Sequence, residues 1–286
     1  MNEKQRGIIY ILGASFFAAL MGIFVNMVGP LPAMQKSFFR NFFVLLIAFG
    51  IHKSTHKGFC IEKSCCHILL IRCIAGSLGL MASFYSMDKI PLSDWTMIGK
   101  LAPFFTLFFS SIILKERVGG FQKLCMLLSI VGSIFIIKPS FSNVLLIPSL
   151  FCLSDAVLSG VAYTYVRLLG LNGVPSTLIV FYFSLSSTLL TAPFAIFNYK
   201  HMEIKQFAML VFAAFSGAMT QFMLTSAYKY SPAKEISVYE YSQVIFAALL
   251  GYVFLSQIPD YMSLLGYLII FLSALMMFIR QKKHIQ

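Results

Sequence analysis

The chain has 286 residues, of which 59% are apolar and 11% charged, against about 25% charged in an ordinary soluble domain. At ~20 residues per bilayer crossing plus short loops, about ten helices use up this length, which leaves no room for a soluble catalytic domain. The formal net charge of +12 raises nucleic acid as a partner, but the basic residues are spread over loop ends and form no basic face, so nucleic acid is excluded.

The first apolar run, residues 7 to 28, follows Lys4 and Arg6 directly. It lacks a small-residue cleavage site before the next run, so it is expected to stay as a membrane helix. The second run, 33 to 51, carries Lys36, Ser37, Arg40 and Asn41 at i, i+1, i+4 and i+5. That spacing makes one polar stripe on an apolar helix, which must face the protein interior or water. The following loop holds His56, Cys60, Cys65, Cys66 and His67. These are metal-ligand types, but their spacing is irregular and two cysteines are adjacent, so they are read as reduced thiols with no metal site.

The third run, 66 to 87, contains Arg72 about one and a half turns from its end, where snorkelling to the interface competes with a buried role. Gly76 and Gly79 in the same run are small-residue contacts that allow close helix packing. Pro91 precedes the fourth run, 92 to 114, which carries Asp94 in its first turn, then Lys100 and Pro103. Pro103 is expected to kink this helix, and a bend beside a buried charge makes a gate. The fifth run spans 119 to 138.

The second half repeats the arrangement with runs at 145 to 168, 174 to 197, 206 to 228, 233 to 255 and 260 to 280. The sixth run carries Asp155 and the eighth Gly217 and Ala218. Pro232 precedes the ninth, which holds Glu235 in its first turn and then Tyr239, Glu240, Tyr241 and Gln243 ahead of an apolar stretch.

A shift of 141 residues pairs Pro91 with Pro232, Asp94 with Glu235, Phe105 with Phe246, Leu114 with Leu255, Phe42 with Phe183 and Gly76 with Gly217. The chain thus reads as a duplication, residues 1–138 and 144–286, with five crossings in each copy. An odd number of crossings turns the second copy upside down, the pattern of secondary transporters that alternate access around a central site. The expected fold is an all-α integral membrane protein of ten transmembrane helices in two inverted five-helix repeats. Placing both termini in the cytoplasm puts fourteen basic residues on the inner side and five on the outer, as the positive-inside rule requires. Arg40, Arg72 and Lys100 remain within the spans.

An ionised side chain at the bilayer centre costs at least ~2.5 to 3.5 kcal/mol, so intramembrane charges are candidates for substrate contacts. At 1.5 Å per residue, Arg40 lies ~10 Å, Lys100 ~12 Å and Asp155 ~15 Å from the outer ends of their helices, and Glu240 ~10 Å from the inner end. All four converge near mid-depth. Tyr239, Tyr241 and Gln243 join them as cavity candidates. Charges of both signs around one space suit a zwitterionic solute, and Glu240 or Asp155 could carry a proton in exchange for it. Pro91, Pro103 and Pro232 are the hinge candidates.

Pro103 and Phe104, the apolar run to Lys115, Glu116 and Arg117, and then Gly132 resemble the EamA-type transporters of the drug/metabolite transporter superfamily. Glu240, Tyr241, Phe246 to Leu255, Gln257, Pro259 and Asp260 resemble the matching region of the second half, and Phe38, Phe39 and Arg40 the arginine-bearing second helix. Val244 stands where the first half has Pro103, and Gln257 where it has Glu116. The resemblance implies a carrier whose central cavity is lined mainly by the first, third, fourth, sixth, eighth and ninth runs. It also implies a cargo among amino acids, S-adenosylmethionine-like metabolites or drugs.

The function expected is a secondary carrier of a small organic metabolite, by export or exchange, with protons as the candidate coupling ion and no cofactor. No GxxxxGK[ST] run occurs, which excludes a self-powered pump within this chain. A membrane-embedded transferase would want convergent His, Asp or metal ligands, and His67 has no acidic neighbour in sequence. A channel would want a filter, and none is evident.

Overall fold

The computed structural model describes residues 3–54, 58–87, 89–115, 119–137, 145–231, 236, 239–256 and 260–283. Among these there is no strand. The helices are α1 (Glu3–Met27), α2 (Ala33–Ser54), α3 (Lys63–Met87), α4 (Leu92–Gly99), α5 (Ala102–Ile113), α6 (Gly120–Ile137), α7 (Leu146–Leu171) and α8 (Ser176–Phe197). They continue with α9 (Ile204–Tyr230), α10 (Ser242–Leu255) and α11 (Tyr261–Lys283), a 3₁₀ turn over Tyr239–Tyr241 leading into α10.

Seven of the described spans are long and apolar enough to cross a membrane, the α4–α5 stretch counting as one of them. Large apolar side chains such as Leu70, Ile112, Leu189, Leu249 and Val253 are exposed on the outside of the bundle. In water such a surface would be an aggregation hazard, whereas in a bilayer it is the lipid contact, and helices satisfy every backbone group internally there.

The chief helix pairs are α1 with α9, α3 with α7, α2 with α8 and α6 with α11. Further contacts join α5 to α7, α1 to α10, α2 to α9 and α3 to α8. Small residues let these backbones approach. A Cβ on Gly160 would stand 2.5 Å from the Phe105 side chain. One on Gly266 would stand 2.7 Å from the Gly132 carbonyl oxygen, so α6 and α11 cross at their glycines.

One local feature differs from expectation. The fourth run does not bend smoothly at Pro103: it stops at Gly99, passes through Lys100 and Leu101, and restarts with Pro103 in the first turn of α5. Proline has no N–H to give to the carbonyl four residues back, and its ring is best accommodated in a first helical turn, so the break falls just before it. Gly99, a poor helix former, weakens the same spot. Pro91 is the residue on which α4 starts, its carbonyl accepting from the Trp95 N–H at 2.9 Å. Pro232, Glu235, Glu116 and Arg117 lie outside the described residues.

The ends of the bundle are tied by side chain to backbone bonds. The Gln35 amide brackets one residue, donating to the Lys200 carbonyl at 2.8 Å and accepting from the Lys200 N–H at 2.9 Å. Gln206 closes a capping box with Glu203 and donates to the Val28 carbonyl at 3.0 Å. At the other end the Tyr182 hydroxyl donates to the Phe59 carbonyl at 2.9 Å, and Arg167 donates to the Lys229 carbonyl at 3.1 Å.

Candidate functional site: a central charged cavity

A cavity of about 150 Å³ lies between the helices at mid-depth, and Arg40, Lys100, Asp155, Glu240 and Gln243 all line it. Each comes from a different local device. Arg40 belongs to the α2 stripe, whose Lys36, Ser37, Arg40 and Asn41 are all buried. Its guanidinium donates to Asn41 Oδ1 at 2.7 Å and to the Gly217 carbonyl at 3.4 Å, and Asn41 donates in turn to Ser37 Oγ at 3.3 Å. A Cβ on Gly217 would sit 2.5 Å from Arg40 Nε, so this guanidinium fits only because α9 has a glycine there.

Lys100 occupies the break between α4 and α5. Its ammonium donates to Gln243 Oε1 at 2.6 Å, and its carbonyl accepts the Tyr241 hydroxyl at 3.0 Å. The break of the first half and the 3₁₀ turn of the second are therefore bonded to each other, and Lys100 and Tyr241 are partners under the 141-residue shift. Glu240 Oε1 accepts the Tyr228 hydroxyl at 2.7 Å, while its backbone carbonyl accepts Ser15 Oγ at 3.4 Å. Tyr228 stacks on Tyr163, rings 5.0 Å apart, and Tyr163 is a cavity wall. Asp155 accepts from Ser159 at 3.1 Å and lies against Gly79 of α3.

Tyr239 and Tyr241 are not among the lining residues. Tyr241 is buried behind the cavity, where its hydroxyl holds Lys100, and Tyr239 packs half-buried against the apolar core. Their positions in a 3₁₀ turn aim them differently from neighbours in a straight helix. Asp94 also stays out of the cavity, its carboxylate accepting the Tyr267 hydroxyl at 2.6 Å and tying α4 to α11.

Of the two roles open to Arg72, snorkelling and burial, the structure shows burial. It is only 2% exposed, lines the cavity, and lays its guanidinium 4.3 Å from the centre of the Phe183 ring. The sequence signal was Gly76, one turn further along the same helix. With no side chain at Gly76, there is room for Arg72 to lie along α3 toward the cavity rather than outward to the interface. Trp95 and Ser83, joined by a 3.2 Å hydrogen bond, form a further wall that the sequence alone did not single out.

A helical bundle with apolar flanks and a charged interior cavity defines a multi-pass membrane protein that handles a small molecule. The chain belongs to the EamA-like transporter family, which it matches over residues 5–138 and 146–279. It is 26% identical to the pseudopaline exporter CntI of Pseudomonas aeruginosa (strain UCBPP-PA14), with 93% of each chain covered. It is 24% identical to the S-adenosylmethionine uptake transporter of Rickettsia bellii, over 88% of this chain and 86% of that one. Solute carrier family 35 member G1 of Homo sapiens is 30% identical over 47% of this chain. A solved crystal structure at 12% identity superposes with a TM-score of 0.75 over 97% of this chain and 98% of that chain, and so shares the fold. The protein is a member of the drug/metabolite transporter superfamily and a transporter rather than an enzyme.

Proposed function

We propose that the protein is a secondary active carrier for a small organic metabolite, amino-acid-like, zwitterionic or S-adenosylmethionine-like, working by export or exchange with alternating access. The observation that carries this reading is a mid-depth cavity lined together by Arg40, Arg72, Lys100, Asp155 and Glu240. Charges kept at that depth are expensive unless a substrate or coupling ion uses them. Relatives named for pseudopaline export and S-adenosylmethionine uptake support the cargo class without fixing direction.

The ten spans form two inverted repeats, residues 1–138 and 144–286. Supporting this, the chief helix pairs are unchanged when each run is exchanged for its counterpart: α1 with α9 becomes α7 with α3, and α5 with α7 becomes α10 with α1. The break between α4 and α5 meets the 3₁₀ turn of the second half at the Tyr241 to Lys100 bond. Rocking one repeat against the other opens the cavity to each side in turn, with Pro91 and Pro103 at the hinge and Pro232 as its counterpart. The protein sits in the cytoplasmic membrane with both termini inside, as the distribution of basic residues supports.

Lys100 serves as counter-charge to substrate, Asp155 as the cavity acid and Glu240 as the proton-exchanging acid. The test is counterflow in proteoliposomes preloaded with single amino acids, nucleosides or S-adenosylmethionine, with and without a pH gradient. Saturable exchange of one solute supports the carrier. No exchange of any solute by folded protein overturns it, and a pH response that survives Glu240→Gln removes the proton role.

A further inference from the structure

Resting on the carrier reading, the cavity wall shows how a cargo is chosen. Among the described residues Arg72 has no ion-pair partner. Its face is stacked on Phe183, its Nε is buried with no acceptor, and it makes no hydrogen bond among the described residues. Stacking uses only the face of a guanidinium and leaves its in-plane N–H groups for a carboxylate. Arg40, lining the same cavity, is held by Asn41 and by the Gly217 carbonyl, and its Nε too lacks an acceptor. Leaving buried charge unpaired is costly, so an anion from outside the chain completes this wall.

The seats of the two arginines are related. Arg72 rests on Gly76 and Arg40 on Gly217, and these two glycines correspond under the 141-residue shift. Each half of the chain thus supplies one cradle. Three residues beyond Gly76 on α3, Gly79 faces the Asp155 carboxylate, with an ideal Cβ 3.0 Å from Oδ1. Three residues advance a helix by ~4.5 Å, so one compact solute can reach a guanidinium and a carboxylate along the same helix face. Asp155 has a hydroxyl partner in Ser159 and keeps acceptor capacity for an ammonium group.

We propose that Arg72, with Arg40 lining the same cavity, is the seat of the substrate's carboxylate, and that Asp155 receives its ammonium group. The cavity thereby selects compounds carrying an α-amino-acid head over the corresponding amines or acids. Lys100, held by Gln243, is left to the rest of the molecule.

The experiment is competition against labelled counterflow in proteoliposomes of the full chain, using matched probes. These are L-methionine, its decarboxylated amine and its des-amino acid; L-histidine and histamine; and S-adenosylmethionine and its decarboxylated form. Zwitterions are expected to compete roughly ten- to hundredfold better than partners lacking either group, the worth of the charge-assisted bonds lost. Arg72→Gln is expected to abolish that preference and Arg72→Lys to restore part of it. If Arg72→Gln does not fold, the probe series on the unaltered protein decides alone. Amines competing as well as zwitterions would overturn the carboxylate seat and leave the carrier standing, as would exchange confined to solutes without an amino-acid head. No exchange of any solute would remove both.

Discussion

At the scale of single residues, the cavity is built from long polar side chains and the glycines that make room for them. Gly76→Ala places a methyl where the Arg72 guanidinium lies, and Gly217→Ala does the same to Arg40. Each is expected to cost ~1–3 kcal/mol through overpacking, read as a lowered melting temperature in detergent, and to depress transport further than stability. Equivalent substitutions at Gly50, with open space around it, should leave both unchanged. Tyr228→Phe deletes the donor to Glu240, so the pH at which exchange is half-maximal should move, while Glu240→Gln should flatten the profile. Sequence alone brought out Arg40, Lys100, Asp155 and Glu240, because charge in an apolar run is conspicuous. It did not bring out Arg72, because near a helix end the same residue can turn outward or inward. What decides is Gly76, and a glycine in a membrane helix reads equally as a packing contact.

At the scale of elements, the informative feature is the interruption between α4 and α5. Pro103 predicts that something happens to this helix, but a kink and a break have the same sequence signature. The tertiary bond from Tyr241 to the Lys100 carbonyl, visible only in three dimensions, helps hold the broken form. Tyr241→Phe removes that bond at a cost of about 0.5–1.5 kcal/mol, and differential scanning fluorimetry should register it as a small loss. Pro103→Ala restores an N–H that could complete the ladder from α4 into α5. It is expected to leave melting nearly unchanged while slowing exchange about tenfold, the equivalent of ~1.4 kcal/mol on the barrier. Apart from the start of the ninth run, which falls largely outside the described residues, the other helix boundaries were legible within a few residues, since apolar runs bounded by Pro, Gly and charge leave little choice in a bilayer. Where Tyr239 and Tyr241 point was not legible, because a 3₁₀ turn changes the angle between successive side chains.

At the scale of the whole molecule, the two halves that match the family, residues 5–138 and 146–279, both line a central cavity, and on the proposed carrier reading ties at the ends of the bundle set which side it faces. Gln35→Ala removes the amide bracket on Lys200, so it should shift the balance between the two facings and expose the cavity to one side more often. The measurement that tests the central claim most directly is alternating accessibility of that cavity. Ala162, buried and cavity-lining on α7, is replaced by Cys in a chain whose six cysteines are removed. It is then probed with a membrane-impermeant thiol reagent applied to either face of oriented vesicles. The account predicts labelling from each face, slowed from both by saturating transported solute and altered in opposite directions on the two faces by Gln35→Ala. Labelling from one face only, or labelling indifferent to solute, would contradict the claim that this cavity is the transport pathway.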